Sequence, residues 1–509
     1  MIEKVFWISY HARRRPNHPA IVDRGTGQTL SYKELDQRIQ RLAAVLAERG
    51  VSAGDRVAVL SLNSLHVYET LYACAVLGAI MVPLNFRLAA REIQQIMDDA
   101  TPTMILHDDV HRALVTAVVG EDTPISVLEW ASAADGNRNA SSYERAIEAT
   151  VARNSFPAAE VNLPWVIIYT SGTTGMPKGV VHTVGSVMAN LINSAMAYDV
   201  TSRTRCLTVL PMFHVAGLNL LGNDVLFQGG TVTIMQSFDA RTALGILSDP
   251  AENITHFGGG PPAVLNMMSS LPEFEETELP PFLGAVGGSP VPDSLIRRWD
   301  AKGVRIIQVF GATEAGSTVL APGANTPEGF VGQPAALAEV DVRGLDGASL
   351  EPGFTGELWI RGPMLMKEYW RRPIETGAVF DDGWLRTGDI VTRDRDGNCR
   401  VVGRGKEMFI SGGENVYPAE IESVLYDHPA IHLAAVVGAP DKRWGETGVA
   451  YVVLKKGAST SEHCLRDWCR ERLAGYKVPS QFLFLDELPL GASGKILKRE
   501  LQRGVPPAI

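Results

Sequence analysis

The spacing of hydrophobic positions in the first part of the chain predicts one helix followed by one strand. Ser31 and Glu34 stand in the pattern of a capping box, in which the serine accepts a backbone N–H and the glutamate reaches back to the serine. Apolar residues then recur at helical intervals until a glycine ends the run: Leu35, Ile39, Leu42, Leu46 and Gly50. The uninterrupted apolar run at residues 57–60 predicts a short buried strand.

Similar apolar runs at residues 166–169 and 305–309 predict two more buried strands, each leading into a glycine-containing loop. Repeats of strand, loop and helix predict α/β layers with functional residues at the strand ends. The longest charge-free stretches are residues 71–84 and 206–223. The first is shorter than the ~20 residues that a bilayer requires. The second contains Pro211 and His214, which indicates a strand, a loop and a helix start, so no membrane span is predicted.

The last hundred or so residues have the pattern of a small α+β domain. A hairpin-type turn at residues 394–398 and a glycine-containing connector at residues 403–406 precede it. Within it, the pattern predicts helices at residues 421–425 and 464–473 and strands at residues 433–437 and 449–454.

Composition excludes several classes of protein. A length of 509 residues allows two to four domains, and 45% apolar with 20% charged residues is typical of a soluble globular chain. The net charge of −10 argues against a nucleic-acid binder, because attraction to phosphates dominates that affinity. Five cysteines without CxxC spacing indicate neither a disulfide framework nor a zinc site. Residues 1–19 contain no long apolar segment, so we expect no signal peptide and a cytoplasmic protein.

The densest set of phosphate-binding groups follows the predicted strand at residues 166–169. Backbone N–H groups of glycines, side-chain hydroxyls and one lysine can surround phosphate oxygens there. The candidate nucleotide-binding residues of this loop are Thr170, Ser171, Gly172, Thr173, Thr174, Gly175 and Lys178. It is not a Walker A loop, because Pro177 precedes the lysine and Gly179 follows it. An ordinary polar turn is the alternative interpretation.

Further segments in a fixed order complete a pattern that resembles the adenylate-forming acyl-CoA synthetase superfamily. They are Pro211-Met212-Phe213-His214, Val309-Phe310-Gly311-Ala312-Thr313-Glu314, Gly356-Glu357-Leu358, Trp384-Leu385-Arg386-Thr387-Gly388-Asp389, Gly403-Arg404-Gly405-Lys406, Ser411-Gly412-Gly413-Glu414-Asn415 and Ser493-Gly494-Lys495. The resemblance covers nearly the whole chain. It implies that ATP and Mg²⁺ are used to convert a carboxylate into an acyl-adenylate, and that the acyl group then passes to the thiol of coenzyme A.

The resemblance assigns roles to the catalytic groups. Lys495 bridges the substrate carboxylate and the α-phosphate, where two anions must be brought together. Glu314 holds Mg²⁺, which prefers carboxylate and phosphate oxygens, and Thr313 contacts the α-phosphate. His214 lies between the acyl pocket and the pantetheine tunnel. The alternatives are a surface lysine, a threonine and glutamate at a helix start, and a satisfied core histidine.

The remaining nucleotide contacts follow from the same resemblance. Asp389 accepts both ribose hydroxyls, with a turn residue as the alternative, and Arg404 donates to the ribose or phosphates. Phe310 stands where relatives more often carry tyrosine, so it can stack on adenine without a hydroxyl contact. Gly311 and Ala312 complete this segment.

Lys406 matches the hinge position at which the small domain rotates between two states. In one state Lys495 faces the active site, and in the other the loop containing Gly412 and Gly413 lines the pantetheine tunnel. Glycines suit the close passage of a ligand because they lack Cβ.

The expected acyl pocket is apolar and rich in glycine: His214, Val215, Ala216, Gly217, Gly260, Gly287, Gly288, Gly311 and Ala312. We expect the glycines to leave room for a ring or a long chain. The segment after His214 has no aspartate to bind an α-ammonium group, which disfavours amino acids. No charge is available there for a second carboxylate, which disfavours dicarboxylates.

Four residues match positions at which aryl-CoA ligases contact the CoA nucleotide: Arg87, Trp444, Tyr476 and Lys477. Basic side chains suit its phosphates and aromatic ones its adenine. Val478 stands where some relatives carry arginine, so the set is incomplete. Surface packing is the alternative for each residue.

Together these patterns predict an α/β protein. A large layered N-terminal domain (residues 1–403) is joined by a hinge (404–408) to a small, mobile α+β domain (409–509). The leading function is an AMP-forming ligase that joins a hydrophobic fatty or aryl monocarboxylic acid to CoA. The rivals are an enzyme that loads a carrier protein and a non-catalytic nucleotide-binding homologue. The preferred acid and the oligomeric state, with a homodimer as one candidate, stay open.

Overall fold

The computed structural model describes residues 4–5, 7–120, 125–132, 141–152, 159–170, 177–289, 291–323, 325–411, 414–441, 444–491 and 496–504. Up to residue 152, strands alternate with helices. The strands are β1 (Lys4–Val5), β2 (Pro19–Asp23), β3 (Gln28–Ser31), β4 (Arg56–Leu60), β5 (Ile80–Pro83), β6 (Met104–Asp108) and β7 (Ser126–Trp130). The helices are α1 (Trp7–Arg14), α2 (Tyr32–Glu48), α3 (Leu65–Leu77), α4 (Ala90–Ala100), α5 (Arg112–Val119) and α6 (Ser142–Ala149).

The next part, up to residue 321, continues this alternation with two exceptions described below. Its strands are β8 (Ala159–Glu160), β9 (Pro164–Thr170), β10 (Lys178–Thr183), β11 (Arg205–Thr208), β12 (Thr231–Ile234), β13 (His256–Gly260), β14 (Leu283–Gly287), β15 (Arg305–Ala312) and β16 (Gly316–Ala321). Its helices are α7 (Val184–Ala197), α8 (Val215–Leu218), α9 (Asp224–Gln228), α10 (Ala240–Ser248), α11 (Pro262–Ser269) and α12 (Asp293–Asp300).

The rest of the chain contains mostly strands. They are β17 (Gln333–Pro334), β18 (Glu339–Arg343), β19 (Thr355–Arg361), β20 (Glu368–Tyr369), β21 (Phe380–Asp381), β22 (Trp384–Arg393), β23 (Cys399–Arg404), β24 (Phe409–Ser411), β25 (Glu414–Val416), β26 (Ile431–Asp441), β27 (Gly445–Leu454) and β28 (Gln481–Phe484). The helices are α13 (Pro373–Val379), α14 (Pro418–Tyr426), α15 (Glu462–Arg470) and α16 (Lys498–Arg503).

Two large mixed sheets form the centre of the N-terminal domain. The first sheet has the strand order β20-β10-β9-β5-β4-β6-β7, and the second has the order β17-β16-β15-β14-β13-β11-β12-β2-β3. Strands β9, β5, β4, β6 and β7 are parallel neighbours in the first sheet, as are β15, β14, β13, β11, β12 and β2 in the second. The α/β layering predicted from the sequence is confirmed.

The two strands next to the predicted nucleotide-binding motifs are followed by strands rather than helices, which corrects the expectation of strand–loop–helix repeats there. β9 returns as antiparallel β10, and β15 returns as antiparallel β16. A parallel return needs a crossover of a dozen or more residues. Only residues 171–177 separate β9 from β10, and only residues 313–315 separate β15 from β16, so the chain can only turn back on itself.

Three smaller sheets complete the described fold, and the smallest is the antiparallel pair of β1 and β8. The third sheet is antiparallel, with the order β18-β19-β22-β21 and β23 paired to β22. The C-terminal sheet has the order β25-β24-β27-β26, with β28 parallel to β27. β23 ends at Arg404 in the third sheet and β24 begins at Phe409 in the C-terminal sheet, so sheet membership changes between these residues. Helices α14 and α15 make this last part α+β, as predicted.

Local patterns explain why the elements begin and end where they do. Ser31 and Glu34 form the predicted capping box of α2, and its periodic leucines are fully buried. The predicted strands at 57–60, 166–169 and 305–309 correspond to β4, β9 and β15. The predicted helix at 464–473 ends earlier, at Arg470, and one further turn follows in which Leu473 N–H donates to the Cys469 carbonyl at 2.8 Å. Among the described residues, no helix is both long and apolar enough to cross a membrane.

Candidate active site

The ends of the phosphate-loop hairpin are fixed by β9 and β10. Thr170 and Lys178 are directly opposite each other in the antiparallel ladder, and the Thr170 hydroxyl lies 3.4 Å from the Lys178 carbonyl oxygen. Lys178 Nζ lies 5.2 Å from the centroid of the Tyr369 ring, a cation–π distance. The loop residues Ser171, Gly172, Thr173, Thr174 and Gly175 lie outside the described residues.

The turn between β15 and β16 carries Thr313 and Glu314, beside the same tyrosine. Tyr369 donates its hydroxyl to Glu314 Oε1 at 2.9 Å, and Met366 N–H donates to the Glu314 carbonyl at 2.8 Å. Thr313 and Glu314 therefore do not begin a helix, which removes that alternative. Lys178, Tyr369 and Glu314 form one charged and aromatic cluster that joins the two hairpins.

His182 and Asn190 hold the β15–β16 hairpin from beneath. His182, buried on β10, donates from Nε2 to the Thr313 carbonyl at 2.6 Å, and burial lowers the pKa of the imidazole, which favours the neutral ring. Asn190 on α7 accepts the Ser317 hydroxyl at 2.7 Å and the Ser317 N–H at 3.2 Å. These bonds fix the turn from two directions.

The segment before this turn is partly exposed, as a nucleotide-facing segment requires. Phe310, Gly311 and Ala312 are all half-buried, and Phe310 packs against the core that includes Leu320 and Tyr369. A Cβ added to Gly311 would lie 2.4 Å from the Ser317 carbonyl oxygen, so this glycine is required by the close hairpin.

The candidate ribose site lies on the third sheet. Asp389 on β22 and Arg404 on β23 face each other in register, and Arg404 Nε donates to Asp389 Oδ1 at 2.9 Å. The Asp389 side chain is 6% exposed, whereas that of Arg404 is 58% exposed. The structure therefore brings the two predicted residues together, with the arginine able to reorient toward a ligand while the aspartate stays fixed. Asp389 lies in a strand, which corrects its alternative as a turn residue.

The segment from Leu210 to Ala216 follows β11 at the carboxyl end of the second sheet. His214, Val215 and Ala216 are half-buried, and His214 stands at the N-terminus of α8. The His214 and Phe213 ring centroids are 4.4 Å apart. These three residues form the surface that we name the acyl wall.

Asn63 holds the acyl wall from the other sheet. It is 3% exposed and follows β4, and its side-chain Nδ2 donates to the carbonyls of Leu210 at 2.8 Å and Met235 at 3.1 Å. Its Oδ1 accepts Met212 N–H at 2.9 Å. Every hydrogen-bonding position of this amide except one acceptor lone pair is used, so Asn63 ties the first sheet to the motif that ends at His214.

Phe86 makes a second contact between the sheets. Its ring meets that of Phe213 edge to face, with centroids 5.2 Å apart. Arg87, the next residue, lies over the Phe86 ring at 5.5 Å. The candidate CoA contact Arg87 is therefore connected to His214 of the acyl wall through two rings, Phe86 and Phe213.

Most of the glycines predicted to leave room in the acyl pocket are required for another reason, the close approach of neighbouring atoms. A Cβ at Gly217 would lie 2.0 Å from the Pro211 carbonyl oxygen, and one at Gly287 would lie 2.3 Å from that of Val309. At Gly260, which has φ of 65°, it would lie 2.1 Å from a Leu210 methyl. These glycines allow backbones and side chains to approach closely and leave no open space on that side. Gly288 is exposed and has φ of 79°, so it serves a turn.

A broken helix follows the acyl wall. Leu221 has φ of 52°, which interrupts the run between α8 and α9. Asp224 accepts the N–H groups of Leu221 at 3.1 Å and Val225 at 2.8 Å. Burial raises the pKa of this carboxyl to about 7, against the effect of those hydrogen bonds. The break is therefore held by a buried acid that titrates near neutral pH.

The C-terminal domain places three CoA candidates on one sheet and its turns. Ser411 pairs with Glu414, and the two residues between them in sequence, Gly412 and Gly413, lie outside the described residues. Ser411 also pairs with Gly445, the neighbour of Trp444, so the 43% exposed Trp444 stands beside the paired strands β24 and β25. Tyr476 and Lys477 lie in a short 3₁₀ turn, and Lys477 pairs with Glu420 at 2.5 Å.

Lys406 lies exposed in the turn between β23 and β24. Its neighbour Glu407 is 2.7 Å from Lys498, which is also 2.9 Å from Glu422. Burial opposes a charge on Lys498, but the two carboxylates outweigh it and raise the pKa of this lysine to about 12. Lys495 lies outside the described residues. Leu490 and Ile496, which flank it in sequence, pair in an isolated antiparallel bridge.

Four residues of the site were not singled out by the sequence: Asn63, His182, Asn190 and Tyr369. The side chain of each bonds to a residue that is distant in sequence, and local sequence patterns do not show such contacts. The available signal was weak: Asn63 and His182 are polar residues beside buried strands, where an unpaired polar group would be costly.

The donor set is compatible with Mg²⁺ held mainly by substrate. Among the described residues, no group of three or more His, Cys, Asp or Glu side chains could hold a metal ion. Mg²⁺ is usually bound through one or two carboxylates together with substrate phosphates, and Glu314 is one half-buried carboxylate beside the phosphate-loop hairpin.

The comparisons with known proteins agree with this geometry. The family described as AMP-binding enzyme matches residues 8–370, and the AMP-binding enzyme C-terminal domain matches residues 420–495. A long-chain-fatty-acid–CoA ligase of Mycobacterium tuberculosis is 39% identical, and a feruloyl-CoA synthase of an Amycolatopsis species is 38% identical; each alignment covers 98% of both chains.

Among solved structures, the chain is similar to o-succinylbenzoate CoA synthetase from Bacillus subtilis. The structure in complex with its acyl-adenylate intermediate has a TM-score of 0.86 at 31% identity and covers 100% of both chains. The structure in complex with ATP and magnesium has a TM-score of 0.84 at 31% identity, covering 97% of this chain and 98% of that one.

Proposed function

The chain belongs to the AMP-binding enzyme family and is an AMP-forming acyl-CoA synthetase, and on that premise we propose that its substrate is a hydrophobic monocarboxylic acid, fatty or aryl. The observation that carries this proposal is the acyl wall. His214, Val215 and Ala216 are its half-buried residues, and the first carboxylate after them, Asp224, is fully buried against backbone N–H groups. The printed substrates of the two relatives, a long-chain fatty acid and ferulate, fit such a surface.

The first half-reaction joins the acid to the α-phosphorus of ATP and releases pyrophosphate. Lys178 and the loop before it bind the phosphates, Thr313 donates to the α-phosphate, and Lys495 bridges it to the carboxylate. These groups offset the repulsion between two anions in the transition state. Glu314, oriented by the Tyr369 hydroxyl, would hold Mg²⁺, which neutralises phosphate charge when bound.

Asp389 and Arg404 bind the ribose, and Phe310 stacks on the adenine beside Gly311 and Ala312. The prealigned pair of a buried carboxylate and an exposed guanidinium supports this assignment. In the second half-reaction the thiol of CoA attacks the acyl carbonyl carbon and AMP leaves.

Lys406 is the hinge between the two half-reactions. The change of sheet between Arg404 and Phe409 and the exposed turn at Lys406 support this position. Rotation there would replace Lys495 at the active site with Gly412 and Gly413, together with Trp444, Tyr476 and Lys477. Arg87 would bind the CoA nucleotide from the N-terminal domain. The five free thiols support a reducing compartment such as the cytoplasm.

The test is an acid panel with two acceptors. Purified protein is given ATP, Mg²⁺ and either benzoate, phenylpropenoate or saturated acids of graded length, and AMP and thioester are measured by mass spectrometry. We expect AMP and acyl-CoA in equal amounts with at least one apolar acid, and little product with dicarboxylates or amino acids.

The same panel distinguishes the rivals. Thioester formed on a phosphopantetheinylated carrier protein but not on free CoA would show that the acceptor is a carrier protein rather than CoA. Absence of acid-dependent ATP–pyrophosphate exchange with every acid, in correctly folded protein, would indicate a non-catalytic homologue.

A further inference from the structure

The motif Gly356-Glu357-Leu358 stands out in the sequence without a role in the reaction as described above. We propose that Glu357 is a positioning residue that sets selectivity for the ribose hydroxyls of ATP, by fixing the backbone segment that carries Asp389. This inference rests on the proposed contact between Asp389 and the ribose.

The register between β19 and β22 shows why this segment needs support. Glu357 is opposite Ile390, and Trp359 is opposite Arg386. Three residues of β22, Thr387, Gly388 and Asp389, therefore face Leu358 alone. Such a bulge leaves backbone groups outside the regular ladder, and they must find other partners.

Side chains supply those partners. Glu357 Oε1 accepts the Gly388 N–H at 3.0 Å, and the Thr387 hydroxyl oxygen accepts the Asp389 N–H at 3.0 Å. The same hydroxyl donates to the Leu358 carbonyl at 2.7 Å. The bulge that presents Asp389 is thus held on one side by Glu357 and on the other by Thr387.

The carboxylate of Glu357 is itself oriented. Its second oxygen, Oε2, accepts the Trp359 indole N–H at 3.2 Å and lies 3.5 Å from an Arg386 guanidinium nitrogen. Each oxygen therefore has a separate task, one toward the bulge and one toward the sheet. Gly388 has φ of 72°, in the left-handed region, so the bulge depends on a backbone state that is easily lost without an anchor.

The far side of the bulge is bonded to the strand that ends at the hinge. Gly405 N–H donates to the Gly388 carbonyl at 2.9 Å, and Arg404 donates to Asp389 itself at 2.9 Å. Removing Glu357 would leave Gly388 held only from this side, so Asp389 would lose its fixed direction toward the ribose. The phosphate-loop hairpin and the acyl wall share none of these bonds and should not respond.

The test compares ATP with 2′-deoxyATP and 3′-deoxyATP as substrates. The kcat/KM for each nucleotide is measured in the wild type, Glu357→Ala, Glu357→Gln, Asp389→Ala and the double variant Glu357→Ala/Asp389→Ala. Hydrogen bonds to a charged group contribute about 1.5–3 kcal/mol, so the wild type should prefer ATP by roughly tenfold to a hundredfold. Glu357→Ala should lower this preference about tenfold with the KM for the acid unchanged.

Two further variants separate positioning from stability. Glu357→Gln keeps an oxygen for the Gly388 N–H and should retain most of the preference. Glu339→Ala removes a carboxylate of the same sheet that pairs with Arg361 and does not touch the bulge, and it should leave the preference unchanged. The double variant should match Asp389→Ala alone, because both substitutions act through one contact.

Four results would overturn the inference, for three different reasons. An equal loss for all three nucleotides in Glu357→Ala, or additive losses in the double variant, would assign Glu357 a purely structural role. Full preference for ATP in Glu357→Ala, with kcat/KM undiminished for every nucleotide, would show that Gly388 needs no anchor. A wild-type preference that survives Asp389→Ala would refute the ribose contact itself, and with it the proposed function of Asp389.

Discussion

The nucleotide side and the acyl wall are built in opposite ways. The proposed nucleotide side consists of turns and a bulge between antiparallel strands, and hydrogen bonds with the side chains of His182, Asn190 and Glu357 hold its backbone. The acyl wall follows the interior strand β11 at the carboxyl end of the second sheet and is held by packing, with Asn63 as the main polar tie of the segment before it. Under the proposed function, the nucleotide side fixes polar atoms for ATP, which is the same in every reaction. The acyl wall fixes a shape for the acid, which can vary.

This difference explains why the two regions differ in how clearly they indicate their ligand. ATP offers phosphates, a ribose and a base, so the residue types that bind it are restricted. An apolar acid offers surface, and many combinations of small and aromatic residues can enclose it. Class of reaction is therefore evident from the nucleotide side, whereas the identity of the acid depends on packing details of the wall.

The largest loss of rate is expected from removing Lys495, the cation proposed to contact both the acid and the α-phosphate. Lys495→Ala should lower the rate of adenylate formation by ~10²–10³, because one preorganised positive group is lost at the transition state. Thioester formation from supplied acyl-adenylate and CoA should remain nearly intact. Pyrophosphate release and acyl-CoA formation are measured separately, with the exposed Lys456→Ala as control. A parallel fall of both half-reactions would refute the bridging role.

The next effect concerns the hinge. Lys406→Pro fixes φ and so blocks backbone rotation at this position. Adenylate should still form, while acyl-CoA formation should fail, on the order of a hundredfold or more by analogy with loss of a preorganised site. Lys406→Ala, which leaves φ free, should retain both steps. Equal loss of the two steps in Lys406→Pro, with the circular dichroism spectrum unchanged, would place the hinge elsewhere.

Substitution of two buried asparagines, Asn63 and Asn190, can test directly whether the two regions act independently. Asn63→Ala leaves backbone groups of Leu210 and Met212, just before the acyl wall, unpaired. Asn190→Ala does the same for the β15–β16 hairpin, at about 1–3 kcal/mol for each unsatisfied group. We expect the first variant to raise the KM for the acid and the second to raise the KM for ATP. Steady-state kinetics with each substrate varied in turn provide the measurement. The same pattern in both variants would show that the regions are not independent.

Enlarging the acyl wall should change acid selectivity alone. Ala216→Phe fills space beside His214, and overpacking costs about 1–3 kcal/mol, or roughly tenfold to a hundredfold in kcat/KM for bulky acids at 1.4 kcal/mol per decade. Small acids and ATP should be affected least. The kcat/KM across a length series, with Ala216→Val as the intermediate variant, measures this. A uniform fall for all acids would place Ala216 outside the pocket.

The last prediction concerns stability rather than rate, as a pH dependence that originates behind the acyl wall. The pKa of Asp224 is about 7 in the folded protein, above its usual value, so the folded state holds a proton that the unfolded state has lost. Stability should therefore fall as pH rises from about 4 to 7, by at most about 1.4 kcal/mol per unit. Asp224→Asn should remove this component. Melting temperatures of both proteins at pH 5 and pH 8 test this; identical pH slopes would contradict it.

The sequence predicted the parts of the fold that depend on local pattern. Ser31 and Glu34 predicted the start of α2, and the apolar runs predicted β4, β9 and β15. The resemblance assigned both Asp389 and Arg404 to the ribose, and the structure shows that they are paired across neighbouring strands.

What the sequence missed depends on distant contacts. The hairpins after β9 and β15 follow from loop length, which was visible, but the pattern of earlier strands suggested helices instead. The reason for Gly217 and Gly287 is a carbonyl oxygen on another segment, and no local pattern shows it. Asn63 and Tyr369 act across 147 and 55 residues of sequence, respectively, so only the folded chain reveals their partners.

The two regions meet at a single bond, between an oxygen of the acid and the α-phosphorus of ATP. The most direct test supplies an accepted acid with both carboxylate oxygens replaced by oxygen-18, together with ATP and CoA, and follows the label by mass spectrometry. If the carboxylate attacks the α-phosphorus and CoA then attacks the acyl carbon, one labelled oxygen must appear in AMP and none in pyrophosphate. Label in pyrophosphate or orthophosphate, or thioester formed with unlabelled AMP, would contradict this account.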